Sequence, residues 1–168
     1  MFKKIILIFV ILFFLFGFNT GTAEERIPLN EIPLTEIPHL WPLRGGLGTV
    51  TMFYGDNRHP ITGQAHFHNG IDISTYRSGD AVVATADGFV ITAEYDSVFG
   101  NFVLIEHKHG FQTFYAHMRN SIVEVGESVY QGEIIGYTGS TGISTGPHLH
   151  YEIRVNSEPV DPLLYINR

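Results

Sequence analysis

Gly146-Pro147-His148-Leu149-His150-Tyr151-Glu152-Ile153-Arg154-Val155 is the stretch from which the rest of the chain is most readily read. It has the composition of a β-strand, opened by a glycine-proline pair and free of turn residues until Asn156. In a strand, residues two apart project from the same face. His148 and His150 therefore point together, while Leu149 enters a core on the other side. Two imidazoles on one face of a half-buried strand are costly unless something organises them. A solvated pair on an open face is the alternative that this strand alone leaves standing.

Working outward, similar runs rich in Val, Ile, Phe, Tyr and Thr recur at Val50–Tyr54, Ala81–Thr85, Gly88–Tyr95, Asn101–His107, Phe111–His117 and Ile134–Tyr137, punctuated by glycine. The runs on either side of Lys108-His109-Gly110 read as a hairpin. No window after the first two dozen residues sustains an apolar period of 3.6. The expectation is a mainly β, compact antiparallel domain with long glycine-rich loops.

The 168 residues carry a formal charge of −7, nine histidines and no cysteine. Met1–Lys4 is a short positive start, Ile5–Phe18 an apolar run broken only by Gly17, and Gly21-Thr22-Ala23 a set of small residues. A run of that length falls short of the ~20 residues of a spanning helix and matches the ~7–15 of a secretory signal. Residues 1–23 are therefore expected to be a signal peptide that exports the rest; if uncleaved, residues 5–18 would anchor the protein to the membrane. Losing this leader removes two lysines and moves the charge from −7 to −9, which excludes a nucleic-acid backbone as partner. Absence of cysteine excludes a disulfide framework, a thiolate zinc finger and a cysteine nucleophile. Residues 24–40 repeat Ile27-Pro28-Leu29, Ile32-Pro33-Leu34 and Ile37-Pro38-His39 at a period of five. Proline this frequent blocks helix and central strand alike, so the segment is expected to be an extended linker or arm before a domain at 41–168.

Two further motifs join the His148/His150 pair. In His68-Asn69-Gly70-Ile71-Asp72 a histidine and a carboxylate stand four apart. Asn-Gly makes a poor helix interior, and a straight strand would hold them about 13 Å apart. They can share a metal only if the chain turns at Asn69-Gly70; a surface histidine and a turn aspartate is the other reading of this motif. His117 follows Phe114-Tyr115-Ala116 at the close of a strand. Two histidines and one carboxylate would supply three ligands with a position left for water, as in catalytic zinc, and leave two histidines for proton or oxyanion work.

H-x-G-x-D, Y-A-H and H-L-H, in this order, resemble the signature of the lysostaphin/LytM-like zinc metallopeptidases, a family of peptidoglycan endopeptidases. The likeness runs over residues 41–165 and takes in Trp41-Pro42, His59-Pro60-Ile61-Thr62-Gly63, Gly136-Tyr137-Thr138-Gly139-Ser140-Thr141-Gly142 and Val160-Asp161-Pro162. It implies a LytM/lysostaphin-like fold of the duplicated-hybrid-motif type and one zinc ion, with His68, Asp72 and His150 as ligands. It further implies His117 and His148 as the catalytic pair, Glu152 as the acidic residue that follows the H-L-H strand, and peptidoglycan as the partner, with no small-molecule cofactor. Asn57 departs from the arginine often found two residues before the His-Pro pair, outside the ligand set.

The function implied is an exported, periplasmic, cell-envelope or secreted endopeptidase that cuts stem peptides or cross-links with metal-activated water. The alternative is an idle peptidoglycan-binding or amidase-activating module of the same fold, against which all five filled site positions speak. A non-haem iron oxygenase shares the ligand types, but in place of its H-x-D/E spacing the gap between His68 and Asp72 is three residues. His66 rivals His68 as a ligand on parity. Exposure is the expectation for His39, His107 and His109, and a structural or substrate-contact role for His59. The glycine-rich loop Gly136–Gly146 is expected to wall a groove that Tyr95, Tyr137 and Tyr151 either line or leave for the core. It lacks the Gly-Lys-Ser/Thr ending of a phosphate loop.

Overall fold

Alternation along the strands places the core. The computed structural model describes residues 32–58 and 63–166; the signal segment, the first part of the proline-rich arm and His59 lie outside the described residues. Twelve strands are found among these: β1 (Thr49–Met52), β2 (Gly55–Arg58), β3 (Ala65–His68), β4 (Ile71–Ser74), β5 (Ala81–Val83), β6 (Gly88–Asp96), β7 (Gly100–His107), β8 (Phe111–Ser121), β9 (Ser128–Val129), β10 (Ile134–Thr138), β11 (His148–Val155) and β12 (Glu158–Val160). Ten form one antiparallel sheet that runs β1-β4-β11-β8-β7-β6-β9, with β10 on β5 and β8, and β12 on β11; β2 and β3 form a separate two-stranded sheet. No helix among the described residues is long and apolar enough to cross a membrane.

The expected strands are present with ends shifted by a few residues, and His148–Val155 matches at both ends. The strand expected to close at His117 continues to Ser121. Five short strands went unread, because two to four residues such as Gly55–Arg58 (Gly-Asp-Asn-Arg) carry too little pattern to stand out. Lys108–Gly110 joins β7 to β8 as a single 3₁₀ turn with His109 at φ 59°.

β11 lies between β4 and β8, with His150 opposite both Asp72 and Ala116, and Tyr151 opposite both Ile71 and Tyr115. One face therefore gathers Ile71, Ile73, Leu149, Tyr151, Ile153 and Tyr115, all fully buried. The opposite face is left to Asp72, His150, Glu152 and Phe114. Full burial of each large apolar side chain contributes roughly 1.5–3 kcal/mol, and Leu149, anchored between the two histidines, fixes which way they point.

The core face also carries a closed polar run. Thr85 Oγ1 lies 2.9 Å from the Tyr151 hydroxyl and 3.1 Å from that of Tyr115, which is 3.0 Å from Thr113 Oγ1. Thr113 reaches His107 Nε2 at 2.7 Å, and His107 Nδ1 donates to the Asp87 carbonyl at 2.8 Å. His107 is thus buried rather than exposed as expected, since partners for both ring nitrogens offset its desolvation. Tyr151 belongs to this core run and not to a groove.

Residues 34–43 dock on the body of the domain. A 3₁₀ turn at Leu34–Glu36 breaks the extended conformation expected there. Asp87 N–H donates to the Thr35 carbonyl and Val83 N–H to that of Pro42, while Ile37, Trp41 and Leu43 are buried. Glu36 pairs with Lys108 and, at 3.0 Å, with His109.

Burial lowers His107 from the ordinary 6.5 to about 4. Between those values the unfolded chain binds a proton that the folded chain refuses, so this histidine removes stability as pH falls from 6.5 towards 4. The full loss is on the order of 3 kcal/mol and levels off below pH 4. His107→Asn, which keeps a donor for Asp87, is expected to flatten the dependence of the urea midpoint on pH between 6.5 and 4; equal slopes for both proteins would remove His107 as the cause.

Candidate metal centre

The chain reverses direction at Asn69-Gly70, as the His68–Asp72 spacing requires if the two are to meet. His68 ends β3 in the small sheet and Asp72 lies in β4 of the large one. Gly70 permits the step between sheets: a Cβ there would sit 2.2 Å from the Tyr151 carbonyl oxygen and 2.9 Å from Glu152 Cγ. The turn packs directly onto the backbone of β11, and only glycine leaves room for it. His68 Nε2 then stands 3.2 Å from Asp72 Oδ1 and 3.0 Å from His150 Nδ1, and His150 Nδ1 lies 2.9 Å from Asp72 Oδ1.

His117 reaches the same place by an irregularity. Ala116 faces His150 across the β8–β11 ladder, so plain alternation would send His117 to the other side. The ladder shifts register on both flanks of this point, and His117 takes the left-handed conformation at φ 59°. Such a bulge re-aims a side chain, and the His117 ring ends 4.7 Å from that of His148 and 6.1 Å from that of His150. Its backbone N–H is held by the Phe99 carbonyl at 2.8 Å.

In each of the four rings one nitrogen is held by an acceptor. His68, His117 and His148 direct Nδ1 to the carbonyls of Phe53 (3.0 Å), Thr141 (2.9 Å) and Gly146 (2.9 Å). His150 directs Nε2 to Glu152 Oε1 at 2.9 Å. Carbonyl and carboxylate oxygens can only accept, so these nitrogens carry the protons. The other nitrogen of each ring is thereby turned toward the cleft.

Burial opposes charge here, yet the bonds from His150 and His68 hold the Asp72 carboxyl well below the usual carboxylate range. Glu152 is likewise lowered against its burial by His150 and Arg154. The two carboxylates overcome the desolvation of His150 and raise it to about 9. His117 goes the other way: burial, with His148 and His150 nearby, lowers it to about 4 against the pull of the Thr141 carbonyl.

The three atoms His68 Nε2, Asp72 Oδ1 and His150 Nδ1 form a triangle with sides of 2.9–3.2 Å. Ligands on a tetrahedral zinc with bonds of ~2.0–2.1 Å stand ~3.3 Å apart. Two nitrogens and a carboxylate oxygen at this spacing need a cation among them, either a proton or a metal. The donor chemistry and the spacing both fit zinc.

These groups open into a cleft of about 600 Å³ lined also by His66, Phe67, Tyr76, Val98, Phe99 and Ile143–Pro147. The wall expected from the glycine-rich loop is therefore supplied by its second half. Gly142, at φ 72°, ties that loop to the β6–β7 turn, where a Cβ would meet Gly100 N at 2.4 Å and Val98 O at 2.5 Å. His66 shares the cleft, with its ring 6.0 Å from that of His68. Tyr95 and Tyr137 do not line it. Glu152, which the sequence marked only through the family pattern, is the partner that orients His150.

The donor set is that of a candidate metal centre, and comparison with known proteins gives the chain its family. The model of Peptidase family M23 matches residues 66–162, and the chain belongs to that family. It is 40% identical over 111 residues to peptidoglycan DD-endopeptidase ShyB of Vibrio cholerae serotype O1, covering 66% of this chain and 26% of that one. Among solved structures, a zinc-containing peptidase from Vibrio cholerae aligns with TM-score 0.67 and 35% identity over 76% of this chain and 39% of that one. The catalytic domain of lysostaphin from Staphylococcus simulans aligns with TM-score 0.63 and 33% identity over 69% and 90%. The chain spans about a quarter of the length of the curated relatives it matches.

Gly70→Ala is expected to force the turn off β11, at a cost of about 1–3 kcal/mol for overpacking, and to weaken zinc binding at least tenfold, as read by competition with a chromophoric chelator. Wild-type affinity in this variant would show that the close approach is not what aligns the donors. With His150 near 9, a metal must displace a proton from Nδ1 at neutral pH. Zinc titrations in buffers of different ionisation enthalpy are expected to show about one proton released from this site per ion at pH 7, and affinity that falls as pH is lowered.

Proposed function

We propose that the chain is an exported zinc-dependent endopeptidase that hydrolyses peptide bonds in the stem peptides or cross-links of peptidoglycan. One observation carries this reading: three donor atoms at zinc spacing, flanked by two further imidazoles whose Nδ1 atoms are tied to backbone carbonyls, at the floor of an open cleft. His68, Asp72 and His150 are the zinc ligands in this reading. Zinc there would lower the pKa of water to ~7, supply hydroxide near neutral pH and polarise the carbonyl under attack.

The chain's own residues supply the rest. His148 presents Nε2 at 4.0 Å from Asp72 Oδ1, and His117 packs against it. With its pKa near 4, His117 is neutral at neutral pH and able to accept a proton. Between them the two histidines take the proton of the attacking water, donate to the oxyanion that develops on the substrate carbonyl and return a proton to the leaving amine. General acid–base help of this kind is worth ~10²–10⁴-fold. Neither a serine nor a cysteine nucleophile is needed.

Peptidoglycan is the substrate class named for the ShyB relative, and a domain of net negative charge suits it better than it suits nucleic acid. Residues 1–23 act as the export signal and place the domain in the cell envelope, with membrane contact only through an uncleaved leader. In this reading residues 24–40 join leader to domain, and their docked part at 34–40 lies away from the cleft walls.

Residues 24–168, loaded with zinc and incubated with purified peptidoglycan, are expected to release new amino groups. His117→Ala and His148→Ala should each lose at least a hundredfold in rate while still binding zinc, and His150→Ala should lose both zinc and activity. If the zinc-loaded protein releases no more amino groups than His150→Ala, the chain is not a hydrolase but an idle module of the same fold.

A further inference from the structure

Along β11 the site face continues past the histidines to Glu152 and Arg154. The Glu152 carboxylate, 2% exposed, is divided between two partners. Its Oε1 accepts from His150 Nε2 at 2.9 Å, while Oε2 accepts from Arg154 Nε at 2.8 Å and lies 2.7 Å from Arg154 Nη2. Both guanidinium contacts fall on the same oxygen, so the other oxygen belongs wholly to the imidazole. Arg154 is itself placed from below: its guanidinium carbon lies 5.1 Å from the centroid of the Phe114 ring. Phe114 stands opposite Glu152 across the β8–β11 ladder, with its ring 6.2 Å from that of His150.

A glutamate has three side-chain torsions, and one hydrogen bond to His150 would leave the carboxylate free to rotate about its last two. Two contacts to Oε2 from a rigid planar group remove that freedom. Arginine stacked on an aromatic ring gives up little further entropy to make them. The orientation of His150 is thus inherited from a group two positions beyond the carboxylate that touches it.

We propose that Arg154 is a positioning residue of the metal centre: by fixing Glu152 it fixes the His150 ring, with Nε2–H toward Oε1 and Nδ1 toward His68 and Asp72. This rests on the reading of His68, Asp72 and His150 as zinc ligands. Outer partners of metal-bound histidines typically govern 10–100-fold in affinity, and a residue one step further out is expected to govern about tenfold.

The test uses the zinc-loaded chain. Arg154→Met keeps an unbranched side chain beside Phe114 and removes the guanidinium that stacks on that ring and holds Glu152. It is expected to weaken zinc about tenfold by chelator competition and to make the His150 Nε2–H, seen by proton–nitrogen NMR, exchange faster with solvent. Near-UV circular dichroism should be unchanged. Arg154→Lys, which restores charge without the fork, should recover part of both effects, and it carries the same measurements should Arg154→Met fail to fold. Because Arg154 acts through Glu152, the double variant Glu152→Gln/Arg154→Met should bind zinc no more weakly than Glu152→Gln alone. Additive losses, or unchanged affinity and exchange in both Arg154 variants, would overturn the proposal. Failure of the underlying reading is separate: His150→Ala would then bind zinc as well as the parent chain.

Discussion

His68 Nε2 and His150 Nδ1 stand 3.0 Å apart with Asp72 Oδ1 at 3.2 and 2.9 Å. Two imidazole lone pairs and a carboxylate oxygen at that distance repel one another unless a positive charge lies among them. The surrounding structure removes other ways of relieving the conflict. Phe53 holds the far nitrogen of His68 and Glu152 that of His150, so neither ring can flip without losing a buried hydrogen bond. Breaking such a bond costs about 1–3 kcal/mol for the group left unsatisfied. In the absence of metal the two carboxylates keep a proton on His150 up to about pH 9, which is how the free protein satisfies the same demand.

Holding that arrangement requires β11 to be rigid, and its other face supplies the rigidity. Leu149, Tyr151 and Ile153 alternate with His148, His150 and Glu152, so His150 and Glu152 have a fully buried neighbour on either side in sequence and His148 has one in Leu149. The Tyr115 and Tyr151 hydroxyls are tied into the run through Thr85, Thr113 and His107. A buried polar chain with its members paired specifies one packing where an all-apolar core would tolerate several. A one-residue slip of β11 would bury the histidines and strand the tyrosine hydroxyls without partners. The core and the site are two consequences of one register.

That register is also why so much was legible from the sequence. A strand of eight residues with histidine, leucine and histidine in alternation declares its faces, and the Asn69-Gly70 turn follows from the distance His68 and Asp72 must close. His117 was less accessible: its place depends on a left-handed residue within a bulge, which no periodicity signals, and alternation from Ala116 would have sent it into the core. His107 was misjudged for a related reason. A histidine beside a hairpin turn looks exposed until Asp87, Thr113 and the docked residues 34–43 are known to close over that end of the sheet. Strands of two to four residues, such as β9 and β12, owe their existence to the long strands beside them rather than to local propensity.

The donor set spans two sheets. His68 comes from the β2–β3 pair, Asp72 and His150 from the large sheet, and Gly70 is the joint between them. Tyr54, between β1 and β2, packs edge-on against Phe67 of β3 with ring centroids 5.1 Å apart and donates its hydroxyl to the Pro159 carbonyl of β12 at 3.0 Å, a further contact between the two sheets. In the proposed reading a cation held by His68 on one side and by Asp72 and His150 on the other would tie the two sheets together across that joint. Since the cleft runs between His66 and Phe67 of β3 and the loop at Ile143–Pro147, an ion held there would also fix one wall of the groove against the other. In the proposed reading binding energy and groove geometry would be linked through His68, the one member of the donor set that the large sheet does not carry.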